Sequence, residues 1–513
     1  MADSRSKNAS RNIIFAFANK MVALLLPFLA RTIILYLLGE EYLGIGSLFT
    51  SVLSFLSLAE LGLGSAIVYT MYQPIAEQDE EKICALLAYY RRFYRRIGAV
   101  MLALGTLLTP FIPYLIKGEA PEGANVYILF YLYLLNSVIS YFFAGYKQSL
   151  LTAHQRADIT SKITLVVNVF IQIGQIAVLI LFRNFYVYAF VPIIGTILTN
   201  ILNEVVTDRQ YPSLQCRGGI GEEEQQAIQK RLSGLIGTKL NSIVVHSADM
   251  LVVSAFLGLT ETAVYGNYYY IISAVNAFVI LFFSSMTASV GNSIITETLE
   301  KNQKLFYKIE FVNAWISGWC AVCLMCLYHP FMRLWAGERL TYPVGVEILL
   351  VIYFFVYTIQ KTMLVFKDAA GIWYEDRYRP YACMILNLIL NVVLVQMVGI
   401  YGVVFSSVAA FTISVPWVNR TLFHTLFQSS SWKNFLTISY YALVTVAVTA
   451  VTYLITFPIR QGLSGLLIRA GICLLLPNVL FLISYGWKPE FRQVMDMVLK
   501  RYRKKCKRRQ ENK

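Results

Sequence analysis

From Ile13 to Leu38 the chain is an apolar stretch that carries Lys20 and Arg31 in its interior. Crossing the hydrocarbon of a bilayer takes roughly 20 apolar residues, and this run exceeds that. A cation inside such a run is costly and normally faces a water-filled cavity or a partner instead of lipid. At about 100° per residue, Arg31 returns to within about 20° of Lys20, so the two share one stripe. Pro27 lies near the same stripe and favours a kink. The stretch reads as a spanning helix with a wet, cationic face turned into a helix bundle.

Composition extends that reading to the whole chain. Of 513 residues, 57% are hydrophobic and 14% charged, against about 25% charged in ordinary globular chains. The net charge of +15 invites a nucleic-acid partner, but its location argues otherwise. Only Lys117, Arg183, Arg339 and Arg460 fall on one side of the expected spans, while most other basic residues collect on the opposite side. That asymmetry is the positive-inside rule, so the excess charge reports topology. No nucleic acid is expected.

Apolar runs define about fourteen spanning helices. The first six lie near 13–38, 43–70, 97–116, 124–146, 161–182 and 185–206. Six more lie near 233–257, 262–290, 309–335, 343–366, 379–398 and 400–425, and two near 434–457 and 464–485. The expected organisation is a six-helix lobe (1–206), a cytoplasmic linker (207–232), a second six-helix lobe (233–428), a further helix pair (429–485) and a basic tail (486–513). With short connectors on one side and long basic ones on the other, both termini are expected in the cytoplasm. The N-terminal run is too long for a signal-peptide core and lacks a small-residue cleavage site. Two basic amphipathic segments, Ile83–Arg96 and the tail from Phe491 to Arg509, read as interfacial helices on an anionic inner leaflet.

A faint internal repeat runs through the chain. Leu38-Gly39 and Leu257-Gly258 end corresponding helices, and counting back 19 residues from each glycine reaches Lys20 and Lys239. Repeats that share a site at their interface are a transporter feature.

Enzymatic readings find little support. No outer connector is long enough to fold into a catalytic loop, and there is no Walker loop, His-rich metal motif or nucleophile elbow. His154, His246, His329 and His424 are scattered. Cys320, Cys323 and Cys326 have C-x-x-C-x-x-C spacing, which fits an iron–sulfur motif. With no fourth ligand nearby, they read instead as small residues along one side of a helix. Neither cofactor nor metal is expected.

Intramembrane ionisable groups remain: Lys20, Arg31, Glu60, Lys239, His246, Asp249, Glu347 and Lys361. One reading has Lys20 and Lys239 flank a central cavity with Arg31, the guanidinium gripping a pyrophosphate bidentately. His246 shares the stripe of Lys239. Asn136, Gln172, Gln175, Asn276 and Tyr268 to Tyr270 would then hold sugars. The other reading pairs the charges among themselves, Lys20 with Asp249 or Arg31 with Glu60, to lock helices. Glu60 sits in Ala-Glu-Leu-Gly-Leu-Gly-Ser, where the glycines suit either a flexible gate or close helix packing. A carboxylate there suits H⁺ or Na⁺ as coupling ion, and Asp249 is the second gating candidate.

Three stretches carry a family resemblance. They are Asn12 to Gly44 with its internal Arg31 and following Leu-Gly-x-x-Tyr-Leu-Gly, Ala59 to Tyr69, and Leu150 to Asp158. The chain resembles the polysaccharide flippases (O-antigen, capsule and teichoic-acid type) of the multidrug/oligosaccharidyl-lipid/polysaccharide exporter superfamily. The resemblance implies an all-α membrane fold of two six-helix lobes in a V, with two C-terminal helices forming a lipid-tail groove. It also implies a cationic cavity that alternates between membrane faces and an undecaprenyl-pyrophosphate-linked oligosaccharide as substrate. Polymerase and glycosyltransferases of the same pathway are the implied partners, and the bacterial cytoplasmic membrane the implied location. A peptidoglycan-precursor flippase and a cation-coupled multidrug exporter are the alternatives. The exporter is disfavoured because it predicts an anionic cavity and usually twelve helices.

Overall fold

The computed structural model describes residues 2–57, 63–118, 120–121 and 123–496. Among these there are helices and turns but no strand. Among the described residues eleven helices are long and apolar enough to cross a membrane, or twelve if the bent pair Val126–Phe142 with Gly145–Ala153 counts as one span. The chain is a multi-pass membrane protein. In lipid only structures that satisfy their own backbone hydrogen bonds can span, and an all-helical chain does so.

In chain order the helices are α1 (Ala2–Leu37), α2 (Glu40–Leu56), α3 (Leu63–Glu77), α4 (Glu80–Leu108), α5 (Val126–Phe142), α6 (Gln148–Ala153), α7 (Ala157–Phe182), α8 (Phe185–Gln210) and α9 (Glu222–Leu257). They continue with α10 (Leu259–Ser284), α11 (Thr287–Thr296), α12 (Leu299–Ala336), α13 (Val344–Ile359), α14 (Lys361–Ala369), α15 (Tyr378–Val398), α16 (Ile400–Thr425), α17 (Trp432–Thr456) and α18 (Leu463–Tyr485). Against about fourteen expected spans, eleven or twelve are found among the described residues, and the expected 43–70 span falls on α2 and α3 with 58–62 between them not described. The two that fall short of a full apolar span are α2, at 17 residues, and the apolar end of α9, Ile243–Leu257.

The chain divides into two compact units, Met1–Gly266 and Asn267–Lys513, and the division falls inside α10. In the first unit α1 lies along α7, and α9 packs on α2 and α3. Gly39 and Gly258 close α1 and α9 with nearly the same backbone, φ 104° and φ 103°. An L side chain is strained there, so both corners select glycine. Chain capping follows the sequence. Asp79 accepts the amide of Lys82 at 2.9 Å to start α4, and Asn125 and Asn184 cap α5 and α8 by accepting two amides each. Side-chain oxygens at these positions satisfy donors that a helix start leaves open.

Helices α1, α4, α9 and α12 are among those that outrun the bilayer. At about 1.5 Å per residue, the 29, 36 and 38 residues of α4, α9 and α12 exceed the ~30 Å hydrocarbon. Ile83–Arg96 is therefore not a separate interfacial helix but the first half of α4. Protein covers its apolar face: Ile83 to Tyr90 are buried, Cys84 lies 3.7 Å from the Ser213 carbonyl, and Ser213 donates to Glu80 at 2.8 Å. Arg92, Arg95 and Arg96 stay exposed. Of the expected tail helix, 489–496 is helical and Phe491 stacks on Trp315; the remainder lies outside the described residues.

The second unit is held by α12, which packs on α13, α17 and α18. Polar residues join its helices in the way membrane bundles favour. Asn387 donates to Ser407 at 3.0 Å between α15 and α16, and Asn313 donates to the Thr358 and Ile359 carbonyls at 3.1 and 2.9 Å. Phe306, Phe366, Phe423 and Phe427 form an edge-packed cluster near one end.

Candidate functional site

Helix α1 runs unbroken through Pro27. Lys20 on it is exposed and Arg31 half-buried. Their separation along the axis is about 16 Å. Arg31 sits where several helices of the first unit converge. A β-carbon on Gly266 would lie 3.3 Å from its guanidinium and 2.9 Å from the Ser47 hydroxyl. The Tyr133 and Tyr188 hydroxyls are within its electrostatic reach. One residue before Gly266, Tyr265 donates to the buried Asp249 at 3.0 Å. Met250, next to Asp249, also touches the Gly266 position. A guanidinium among hydroxyls, with glycine letting α10 pass close by, can present its donors to an anion.

The other candidates divide. The side chains of Lys239 and His246, and all of Glu60, lie outside the described residues. Asn276 belongs to the second unit, where it is buried with its carbonyl oxygen lacking a hydrogen bond. Asn136 accepts from Thr196 at 2.9 Å and Gln175 donates to the Tyr188 carbonyl at 3.1 Å, so both serve helix contacts. Tyr268 is likewise engaged: it donates to Glu347 at 2.8 Å, and His329 lies 3.2 Å from the same carboxylate. Lys361 sits over the Tyr357 ring at 3.6 Å. Asn136, Gln175 and Tyr268 are thus occupied with holding helices together, and Lys361 with a ring one turn before it.

Two features were not anticipated. Glu310 on α12 is fully buried beside Thr362, and no ion pair engages its carboxylate among the described residues. Lys367, Asp376 and Arg379 form a buried ion cluster, with Arg379 on Asp376 at 2.6 Å and Lys367 at 3.3 Å. Arg379 also reaches Ser414 at 2.9 Å, tying this connector to α16. Buried charges of this kind are tolerated only when paired.

The second unit also contains an apolar pocket of about 510 Å³ between α10, α12 and α18. Ile271, Leu324, Leu327, Phe331, Leu466 and Leu467 are among its walls. The Trp319 indole fixes one wall by donating to the Cys473 carbonyl at 2.9 Å. Cys320 and Cys323 line the pocket too, and Cys473 of α18 contacts the thiols of Cys323 and Cys326. A fourth cysteine therefore does lie near the C-x-x-C-x-x-C run, brought there by helix packing from a distant part of the chain. No cluster of three or more His, Cys, Asp or Glu side chains among the described residues is arranged to hold a metal.

No protein-family model matches the sequence, and no curated protein matches it. Solved structures do match the fold. The lipid II flippase MurJ in an inward closed conformation superposes with a TM-score of 0.64 at 16% identity, over 92% of this chain and 99% of that one. An inward-facing MATE multidrug-resistance transporter of the MOP superfamily gives 0.64 at 15% identity, over 79% and 96%. A point mutant of the Vibrio cholerae MATE transporter VcmN gives 0.58 at 14% identity, over 84% and 99%. The chain has the MOP-type fold. At these identities the likeness concerns architecture alone.

Proposed function

We propose that this chain is a flippase that moves an undecaprenyl-pyrophosphate-linked oligosaccharide from the inner to the outer leaflet of the bacterial cytoplasmic membrane. The product would feed assembly of a surface polysaccharide. The observation that carries the proposal is the pair of cations on one stripe of α1, with Arg31 set among hydroxyls inside a spanning helix. A site built to accept a hydrophobic cation has no use for these charges, whereas a pyrophosphate does. The apolar pocket beside α18, within the second unit, is a dry surface of the kind that suits a polyprenyl tail. Lys20 and Arg31 would grip the phosphates, and Lys239, His246 and Asn276 are proposed to complete the site. Glu60 and Asp249 are proposed to gate or couple the movement to H⁺ or Na⁺.

The fold shared with a lipid II flippase over 92% of the chain favours a second reading, transport of a peptidoglycan precursor. Purified protein in vesicles decides between them. A fluorescent lipid-linked oligosaccharide becomes accessible to an outside quencher with wild-type protein. Lys20→Ala and Arg31→Ala abolish this while the protein still accumulates and inserts. Equal flipping by both variants overturns the site. Flipping of lipid II alone selects the second reading.

A further inference from the structure

A pocket of about 760 Å³ opens at the C-terminal end of α16, against the connector between α14 and α15. Its volume is within the ~300–1,000 Å³ of small-ligand sites. The floor is apolar, made by Ile413, Pro416 and Trp417 on the outward face of α16. One turn further along the same face stand Arg420 and then His424, and Glu375 reaches in from the connector. All three ionisable groups are exposed, and no hydrogen bond or ion pair engages them among the described residues.

The arrangement has a direction. Residues three and four apart share a helix face, so the apolar floor and the charged rim form one continuous strip. On the topology expected from the positive-inside rule, this end of α16 lies at the cytoplasmic leaflet. A molecule lying on the strip meets hydrocarbon first, then a guanidinium, with a carboxylate facing it from the side. The rim offers Arg420 as a cation and Glu375 as an anion. That pattern complements a zwitterion, not a plain anion.

We propose that this pocket binds phosphatidylethanolamine from the inner leaflet. The phosphate sits on Arg420, with His424 as second donor, and the acyl chains lie along Ile413, Pro416 and Trp417. The primary ammonium donates to Glu375. Phosphatidylcholine satisfies Arg420 but has no N–H to give the carboxylate. Phosphatidylglycerol brings the phosphate but no cation for Glu375. The proposal stands independently of the transported substrate.

Thermal unfolding of the full chain in nanodiscs tests it. Adding phosphatidylethanolamine to a phosphatidylcholine disc raises the Tm, and phosphatidylglycerol raises it less. Arg420→Gln and Glu375→Gln each remove most of that gain while leaving the Tm in pure phosphatidylcholine unchanged. Glu375 is on an exposed connector, so its variant folds even where the arginine variant does not. Equal Tm values in phosphatidylcholine and phosphatidylethanolamine overturn the site, as does a larger gain with phosphatidylglycerol. A full gain retained by Glu375→Gln overturns the assignment of the ammonium.

Discussion

The backbone of Gly44 runs directly against the carbonyl oxygen of Leu259, with no room between them for a β-carbon. Because Leu259 opens α10 immediately after the Gly258 corner, this contact sets how closely α2 and α10 approach. The obstructing atom is main chain, so it cannot swing aside as a side chain does.

Gly44→Ala is therefore expected to lower stability by about 1–3 kcal/mol, the usual cost of overpacking. Gly471→Ala is the matched control, since no atom lies within 4 Å of the added methyl and α18 is helical there. It is expected to be neutral or slightly stabilising, by up to ~1 kcal/mol. Thermal unfolding in one detergent compares the two. Equal Tm values would mean that α2 and α10 separate freely.

The spans were legible because hydropathy over some twenty residues leaves few alternatives, and Arg31 stood out because it is the one charged residue between Lys20 and Glu40. Other features were hidden for identifiable reasons. The apolar face of Ile83 to Tyr90 looks the same whether lipid or the 211–221 connector covers it. Glu310 follows the polar run Glu300 to Lys308, so it reads as the wet end of a helix, although α12 carries it into the packed interior. Cys473 meets Cys323 and Cys326 only because α18 returns along α12. Local periodicity places residues on faces; it does not say which face meets which.

The Lys367–Asp376–Arg379 cluster gives a sharper stability test. Asp376 accepts from Arg379 at 2.6 to 3.0 Å and is 2% exposed. Asp376→Asn leaves the buried guanidinium without its charge partner, a loss of about 3–5 kcal/mol. Asp368→Asn removes only the half-exposed partner of Lys367 and should cost under ~1 kcal/mol. Similar Tm losses for both would mean that the cluster does not hold the connector to α16.

Cys216 supplies a pH prediction outside the membrane. Burial pushes its thiol up from the ordinary value, and the Tyr146 hydroxyl and Arg91 offset part of that rise. Because the thiolate is the nucleophile, a raised value means less reactive thiol at neutral pH. In a variant retaining Cys216 as its single cysteine, maleimide labelling at pH 7.5 is expected to be slower than for a free thiol. The rate should keep rising with pH beyond the range, near 8.5, where ordinary thiols level off. Labelling as fast as glutathione would show that the 211–221 connector leaves Cys216 open.

Arg31→Lys separates geometry from charge at the proposed site. Lysine keeps the positive charge but loses the planar fork that holds a phosphate by two parallel bonds. Hydrogen bonds to charged groups are worth about 1.5–3 kcal/mol each, and every 1.4 kcal/mol is about tenfold in affinity. Losing one of two bonds predicts roughly a ten- to hundredfold fall in flipping rate at low substrate. Arg31→Ala, which loses both bonds and the charge, should fall by several hundredfold or more. Lysine is also a strongly hydrated point charge, so the lowered rate should recover in part as substrate concentration rises. Protein abundance and Tm are measured alongside, because Arg31 also lies against Ser47 and Gly266 and a packing defect would lower both. Wild-type flipping by Arg31→Lys would reduce the residue to a source of field, and the bidentate grip would be abandoned.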